Sequence, residues 1–269
     1  MTSPVSPFAP VSKEIRVQLL EALEPIARQA GAAIMEVYGA MMESDELVAR
    51  TKGDGSPVTE ADEKAEAIIL AGLQECAPQI PIVSEENAAS HAMAAPEQFW
   101  LVDPLDGTKE FLKGDGKGSF TVNVALIENG TPVLGIVHAP ALDRCFKGAV
   151  GLGATENGET IAVRPVPEDG CVAVASLSHR DAQTDEWLSA WGITQTRSIG
   201  SSLKFCLLAC GDADVYPRFG PTMEWDTGAG HAVLAAAGGS VEHPDGRAFD
   251  YGKTDFRNGP FVARGSFEA

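Results

Sequence analysis

The sequence is poor in everything that would send it into a membrane, onto a nucleic acid or into an oxidising compartment. No apolar run approaches the roughly 18 residues of a membrane span, which excludes an integral membrane segment. Residues 1–10 carry no charged segment ahead of an apolar core, so no secretory leader is expected. Basic residues are scarce: 20 Lys and Arg stand against 38 Asp and Glu, a formal charge of −18. That deficit excludes the basic footprint needed by a protein whose main partner is a nucleic-acid polymer or an anionic membrane. The five cysteines, Cys76, Cys145, Cys171, Cys206 and Cys210, are odd in number and widely spaced. They read as reduced core thiols rather than a disulfide framework. Cys206 and Cys210 lie four apart, yet no second Cys or His pair completes a zinc pattern. A Walker loop, a dinucleotide fingerprint, internal repeats and low-complexity segments are also missing. The expectation is a soluble cytoplasmic protein, with a homodimer and peripheral contact at the inner face of the cell membrane left open.

What is present suffices for a sizeable core, since 44% of 269 residues are hydrophobic, as one large domain or two packed halves. Ser12 opens an amphipathic helix with Ile15, Leu19, Leu23, Ile26, Ala30, Ile34 and Val37 at helical spacing. A second helix spans Thr59 to Cys76, with Thr59 and Asp62 spaced as a capping box, and Lys52 to Pro57 between them reads as a flexible loop. Phe120, Val122, Val124 and Leu126 alternate into an Asn129-Gly130 hairpin turn, and Asn157-Gly158 marks another. After a joint at Arg164 to Pro167, strands at Val172–Ala175 and Ala213–Tyr216 interleave with helices near Asp181–Ala190, Ser202–Cys210 and Thr227–Ala237. Helices layered on sheets in both halves, 1–164 and 165–269, indicate a layered α/β (α+β) sandwich.

Acidic residues at element ends carry the chemistry. The run Phe99 to Val102 delivers Asp103 and Asp106 into a Gly107-Thr108 turn that Pro104 stiffens, a pattern suited to divalent metal and phosphate, although Asp, Pro and Gly are also ordinary turn residues. Glu85 and Glu86 follow the apolar stretch Ile80 to Val83, and Asp226 precedes a helix. Together they suggest one cluster.

Ser84-Glu85-Glu86, Asp103 to Thr108 and Trp225-Asp226-Thr227-Gly228-Ala229-Gly230 resemble the signature segments of the inositol monophosphatase superfamily of metal-dependent phosphatases. Lys109-Glu110-Phe111, Gly200 to Phe205 and Tyr216 to Pro221 resemble its bacterial 3′(2′),5′-bisphosphate nucleotidase branch, and the likeness runs from about Lys52 to about Pro260. The resemblance implies the α-β-α-β-α sandwich of the inositol monophosphatase and fructose-1,6-bisphosphatase type, with the site between the halves. It also implies two to three Mg²⁺ ions. Glu85, Asp103 and the Leu105 carbonyl would hold the first and Asp103, Asp106 and Asp226 the second. A third, weaker ion would share Glu85 through water, and its replacement would make the enzyme lithium-sensitive. The loop after Lys52 would close over the metals.

By the same resemblance, phosphate would meet the N–H groups of Gly107 and Thr108, and Thr108, paired with Asp62, would activate water. Asp62 and Asp226 each have a competing role as helix caps. Ser202, Lys204 and Arg218 are candidates for the second phosphate or the nucleotide, against a plain reading of Ser201 and Ser202 as a cap and Lys204 as solvated. The expected substrate is a small phosphorylated nucleotide, adenosine 3′,5′-bisphosphate, which arises in sulfate assimilation. Its 3′-phosphoadenylyl sulfate relative is a further candidate.

Rivals on the same site are inositol monophosphatase and fructose-1,6-bisphosphatase activities, whose holders usually carry Asn where this chain has Lys109-Glu110. A covalent aspartyl-phosphatase is disfavoured because two residues, not one, separate Asp103 from Asp106. An EF-hand is excluded by spacing. A metal-dependent phosphate sensor would not need Thr108 and Asp62. The histidines at 91, 138, 179, 231 and 243 show no ligand spacing and read as structural or surface residues, with His231 at most near the site.

Overall fold

The computed structural model describes residues 10–44, 50–51, 57–92, 94–114 and 118–267; the loop read as flexible, apart from its last residue Pro57, lies outside them. Seven α-helices follow one another among the described residues: α1 (Lys13–Ser44), α2 (Glu60–Cys76), α3 (Ala88–His91), α4 (Thr108–Lys113), α5 (Ala182–Ala190), α6 (Leu203–Ala209) and α7 (Gly228–Ala236). None is long and apolar enough to cross a membrane.

Alternation along the strand Gln98–Asp106 sets the layering. Successive side chains of a strand leave on opposite faces. Trp100 and Val102 pack with α1 and α2, while Phe99 and Leu101 join α6 and α7. This strand lies second in a seven-stranded sheet, in the order Ile82–Ser84, Gln98–Asp106, Thr121–Glu128, Thr131–Ala139, Arg144–Ala149, Gly153–Glu156 and Glu159–Ile161. Its first pair is parallel and the rest antiparallel.

Beyond α6 and α7 lies a mixed five-stranded sheet in the order Gln195–Ile199, Val172–Ser176, Val215–Arg218, Phe261–Arg264 and Ser240–Glu242. Its outer side packs Ala173, Val215 and Val262 against Leu188 of α5. The layers are therefore α-β-α-β-α, as expected.

The α1 stripe is turned slightly from the expected one. Leu19, Leu23, Ala27, Ala30, Ile34 and Tyr38 are buried, whereas Ile15 is exposed and Ile26 and Val37 are only half-buried. Steps of three and four from Leu19 keep one helical face toward α2 and the sheet. On the opposite face of the sheet, α7 comes very close. A Cβ on Gly135 would stand 2.5 Å from the Ala229 carbonyl oxygen, and one on Gly230 would meet the Phe205 side chain at 2.6 Å. Gly135 on the sheet and Ala229 and Ala232 on α7 permit that approach, while Gly230 makes room for Phe205 of α6. All five cysteines are free thiols. Burial pushes Cys145 and Cys171 up to about 12 and Cys210 up to about 11.

Candidate active site

Where the strand Gln98–Asp106 ends, its register against Thr121–Glu128 slips: Asp103 faces Asn123 and Asp106 faces Thr121. Three steps on one side match two on the other, so the strand bulges between the two aspartates. Pro104 falls in that bulge, where its missing N–H interrupts no regular ladder. The bulge brings both aspartates to one cleft. Gly107 follows at φ +90°, a left-handed turn that glycine adopts without strain, and starts α4.

Three elements converge on this end. Glu85 follows the strand Ile82–Ser84, Asp103 comes from the bulge, and Asp226 ends the turn before α7. One carboxylate oxygen from each lies within 4.8 Å of the others. Asp226 is not a cap of α7. Its Oδ2 accepts from the Met223 N–H at 2.8 Å, and the cap position belongs to Thr227. Burial raises the Asp106 pKa to about 6, opposed mainly by Lys204, and holds Asp226 well above the usual carboxylate range, reinforced by Asp106 and Glu85. Such a set of hard, anionic oxygens crowded in low dielectric fits a hard divalent cation, which would relieve the repulsion.

Asp62 caps α2 with one carboxylate oxygen and turns the other toward Thr108. Its Oδ2 accepts from the Thr59 N–H at 2.7 Å and the Thr59 hydroxyl at 2.6 Å, completing the capping box of α2. Its Oδ1 faces the Thr108 hydroxyl at 3.4 Å, and that hydroxyl also reaches the Leu105 carbonyl at 3.2 Å. The strand end that carries Glu85 is held in place: the Glu85 N–H donates to the Val102 carbonyl at 3.1 Å, the Ser84 hydroxyl donates to Glu66 at 2.6 Å, and His91 Nε2 pairs with the Ser84 carbonyl at 2.7 Å while its ring stacks on Trp225.

The other wall is cationic. Lys204 is buried, not solvated. Its ammonium donates to the Ser201 carbonyl at 2.5 Å, lies 5.1 Å from the Tyr216 ring centroid, and is pushed down by burial to about 8. Arg218 Nε and Nη2 donate to the carbonyls of Gly220 and Pro221. Ser201 lines the cleft. Ser202, expected beside it, is 1% exposed and faces Thr121 and Asn123.

Several cleft residues were not anticipated as site residues. His179 accepts from Lys109 Nζ at 3.1 Å, and burial, then nearby Arg218 and Lys109, push its pKa down. Glu110 accepts from the Ser178 hydroxyl at 2.5 Å. Asp255 and Arg257 complete the rim on the Asp226 side. Lys109 and Glu110 carried a signal, as the pair that distinguishes the nucleotidase segment. His179, Asp255 and Arg257 stood in no motif.

The family model described as "Inositol monophosphatase family" matches residues 16–265. The 3′(2′),5′-bisphosphate nucleotidase CysQ of Shigella flexneri is 47% identical over 237 residues, 87% of this chain and 94% of its own. Inositol monophosphatase 2 of Solanum lycopersicum is 31% identical over 211 residues, 74% of this chain and 79% of its own. Among solved structures, CysQ from Bacteroides thetaiotaomicron aligns with a TM-score of 0.78 at 34% identity, covering 93% of this chain and 98% of that one.

Proposed function

The chain belongs to the inositol monophosphatase family, and from that membership we propose that it is a metal-dependent 3′(2′),5′-bisphosphate nucleotidase that hydrolyses adenosine 3′,5′-bisphosphate to AMP and phosphate. In the cytoplasm this clears a by-product of sulfate assimilation, and 3′-phosphoadenylyl sulfate is a second substrate of the same type. The reading is carried by the 47% identity to a CysQ along 94% of that protein, against 31% for an inositol monophosphatase.

Two to three Mg²⁺ ions are assigned to the carboxylates. Glu85, Asp103 and the Leu105 carbonyl would hold one ion, Asp103, Asp106 and Asp226 a second, and a third would share Glu85 through water. When bound, the ions neutralise charge on the phosphoryl oxygens, lower the pKa of the attacking water and stabilise the departing oxygen. The halves 1–164 and 165–269 meet at this cleft, the second supplying Asp226, Lys204 and Arg218.

The chain's own groups bind, orient and move protons. The N–H groups of Gly107 and Thr108 bind the 3′-phosphate, and Lys204 and Arg218 balance the second phosphate in a protein that is otherwise strongly acidic. Thr108 accepts a proton from the water as its own hydroxyl proton passes toward Asp62 Oδ1. The water oxygen bonds to phosphorus, the bond from phosphorus to the ribose 3′ oxygen breaks, and the departing alkoxide takes a proton from solvent water, to which Asp62 returns the one it gained. Thr59, bound to Oδ2, prevents the Asp62 carboxylate from rotating.

Thr108→Val, nearly isosteric, is expected to lower kcat by roughly 10²–10⁴-fold, the usual contribution of a positioned proton-transfer group, with KM for substrate and for Mg²⁺ changed by less than about threefold. Steady-state kinetics at saturating Mg²⁺ checks this, and an unchanged kcat would remove Thr108 from the chemistry.

The function itself is tested by phosphate release from adenosine 3′,5′-bisphosphate, inositol 1-phosphate and fructose 1,6-bisphosphate, each with Mg²⁺, with EDTA, and with Mg²⁺ plus millimolar Li⁺. Mg²⁺-dependent, Li⁺-sensitive preference for the nucleotide is expected. Preference for a sugar phosphate would overturn the substrate while keeping the metal chemistry, and no turnover on any would favour a phosphate sensor.

A further inference from the structure

Behind the cleft carboxylates lies a buried polar chain, none of whose three residues lines the cleft itself. Ser202 Oγ stands 2.6 Å from Asn123 Oδ1 and 2.9 Å from Thr121 Oγ1, and Asn123 Nδ2 lies 3.4 Å from Asp106 Oδ2. Thr121, Asn123 and Ser202 are each at most 1% exposed.

Hydrogen-bond chemistry gives this chain a single direction. An amide oxygen only accepts, so the Ser202 hydroxyl donates to Asn123 Oδ1. With its one proton spent, Ser202 Oγ accepts from Thr121. The Asn123 amide is thereby fixed with its NH₂ toward Asp106. The Ser202 backbone N–H donates to the same Asp106 Oδ2 at 2.5 Å. Two donors thus hold one oxygen of the carboxylate, and Asp106 Oδ1, which has no hydrogen bond to the described residues, is left for the cleft.

We infer that Thr121, Ser202 and Asn123 form a relay that positions Asp106 for metal, so that Ser202 acts through Asp106 and not on the substrate. The inference rests on the metal assignment in the proposed function. It also ties the two halves together at the site, because Ser202 precedes α6 while Thr121 and Asn123 belong to the seven-stranded sheet. Partners of this kind orient the ligand, and losing one typically costs roughly 10–100-fold in metal affinity or activity.

The test is Mn²⁺ binding without substrate, read by electron paramagnetic resonance of the free ion, for wild type, Ser202→Ala and Thr121→Val, with thermal unfolding in EDTA as the check on folding. Ser202→Ala keeps the backbone N–H, and Thr121→Val is near-isosteric, at a residue that does not line the cleft, and removes only the hydroxyl that pairs with Ser202. The expected result is a loss of Mn²⁺ affinity of roughly tenfold for Ser202→Ala and a smaller loss for Thr121→Val, with KM for adenosine 3′,5′-bisphosphate at saturating metal within about twofold of wild type. Mn²⁺ binding unchanged in both variants would overturn the relay. So would a raised nucleotide KM in Ser202→Ala at unchanged Mn²⁺ affinity, which would return Ser202 to the substrate. Wild-type protein that binds no Mn²⁺ would overturn the metal assignment and the relay with it, a result distinct from either.

Discussion

Asp106→Asn is expected to reduce phosphate release by roughly 10³-fold or more, the scale of removing a preorganised electrostatic group, and to leave a folded protein that resists denaturation better than wild type when metal is absent. Both effects come from one carboxylate. It faces Glu85 and Asp226 across the cleft, and burial raises its pKa to about 6. Keeping it ionised at pH 8 in the absence of a cation costs on the order of 3 kcal/mol relative to an ordinary aspartate. The amide carries no charge yet still offers an oxygen to the Ser202 N–H. Denaturant unfolding in EDTA and turnover in Mg²⁺ read the two effects separately. A folded variant with wild-type turnover would remove Asp106 from the metal site.

The same cluster makes metal-free stability depend on pH in a direction opposite to that of a salt-bridged aspartate. A carboxylate whose folded pKa lies above its unfolded value gives its full stabilisation below the unfolded pKa, near 4. That stabilisation is lost as pH rises through the folded pKa, here about 6 for Asp106. Between pH 5 and 7.5 the loss from Asp106 is on the order of 1–2 kcal/mol, and Asp226, also raised, adds to it. Bound Mg²⁺ favours the ionised carboxylates and stabilises the folded state by mass action. Urea unfolding in EDTA should therefore weaken from pH 5 to 7.5, and excess Mg²⁺ should restore most of the difference. Stability that ignores both pH and Mg²⁺ over this window would contradict a carboxylate metal cluster.

The parts of this molecule that could be read from sequence are those written locally. Asp103 to Thr108 is one turn whose residue types state its geometry, and Thr59 with Asp62 is a helix start visible from spacing alone. The hairpin at Asn129-Gly130 and the strand before it follow from alternation. The strand Gln195–Ile199 leaves no mark in the sequence because it is a largely exposed sheet edge without apolar alternation, and the α1 stripe is offset from its helical period because that period alone does not say where α2 lies.

Direction was the other unreadable quantity. Ser201 and Ser202 are neighbours of identical chemistry, yet the turn at Ser201, with φ +52°, leaves the first on the cleft and the second against Thr121 and Asn123. Lys109 and His179 meet across 70 residues, a contact created only by tertiary packing.

The divided use of Asp62 has a practical consequence for capturing the enzyme with its substrate in place. A substrate-trapping variant must lose chemistry without losing shape. At Asp62 the two cannot be separated, because the oxygen that faces Thr108 shares a carboxylate with the one that starts α2. Thr108 has no such second duty to a helix cap, so it is the position at which a trap should be built, and Asp62 is the position least free to vary.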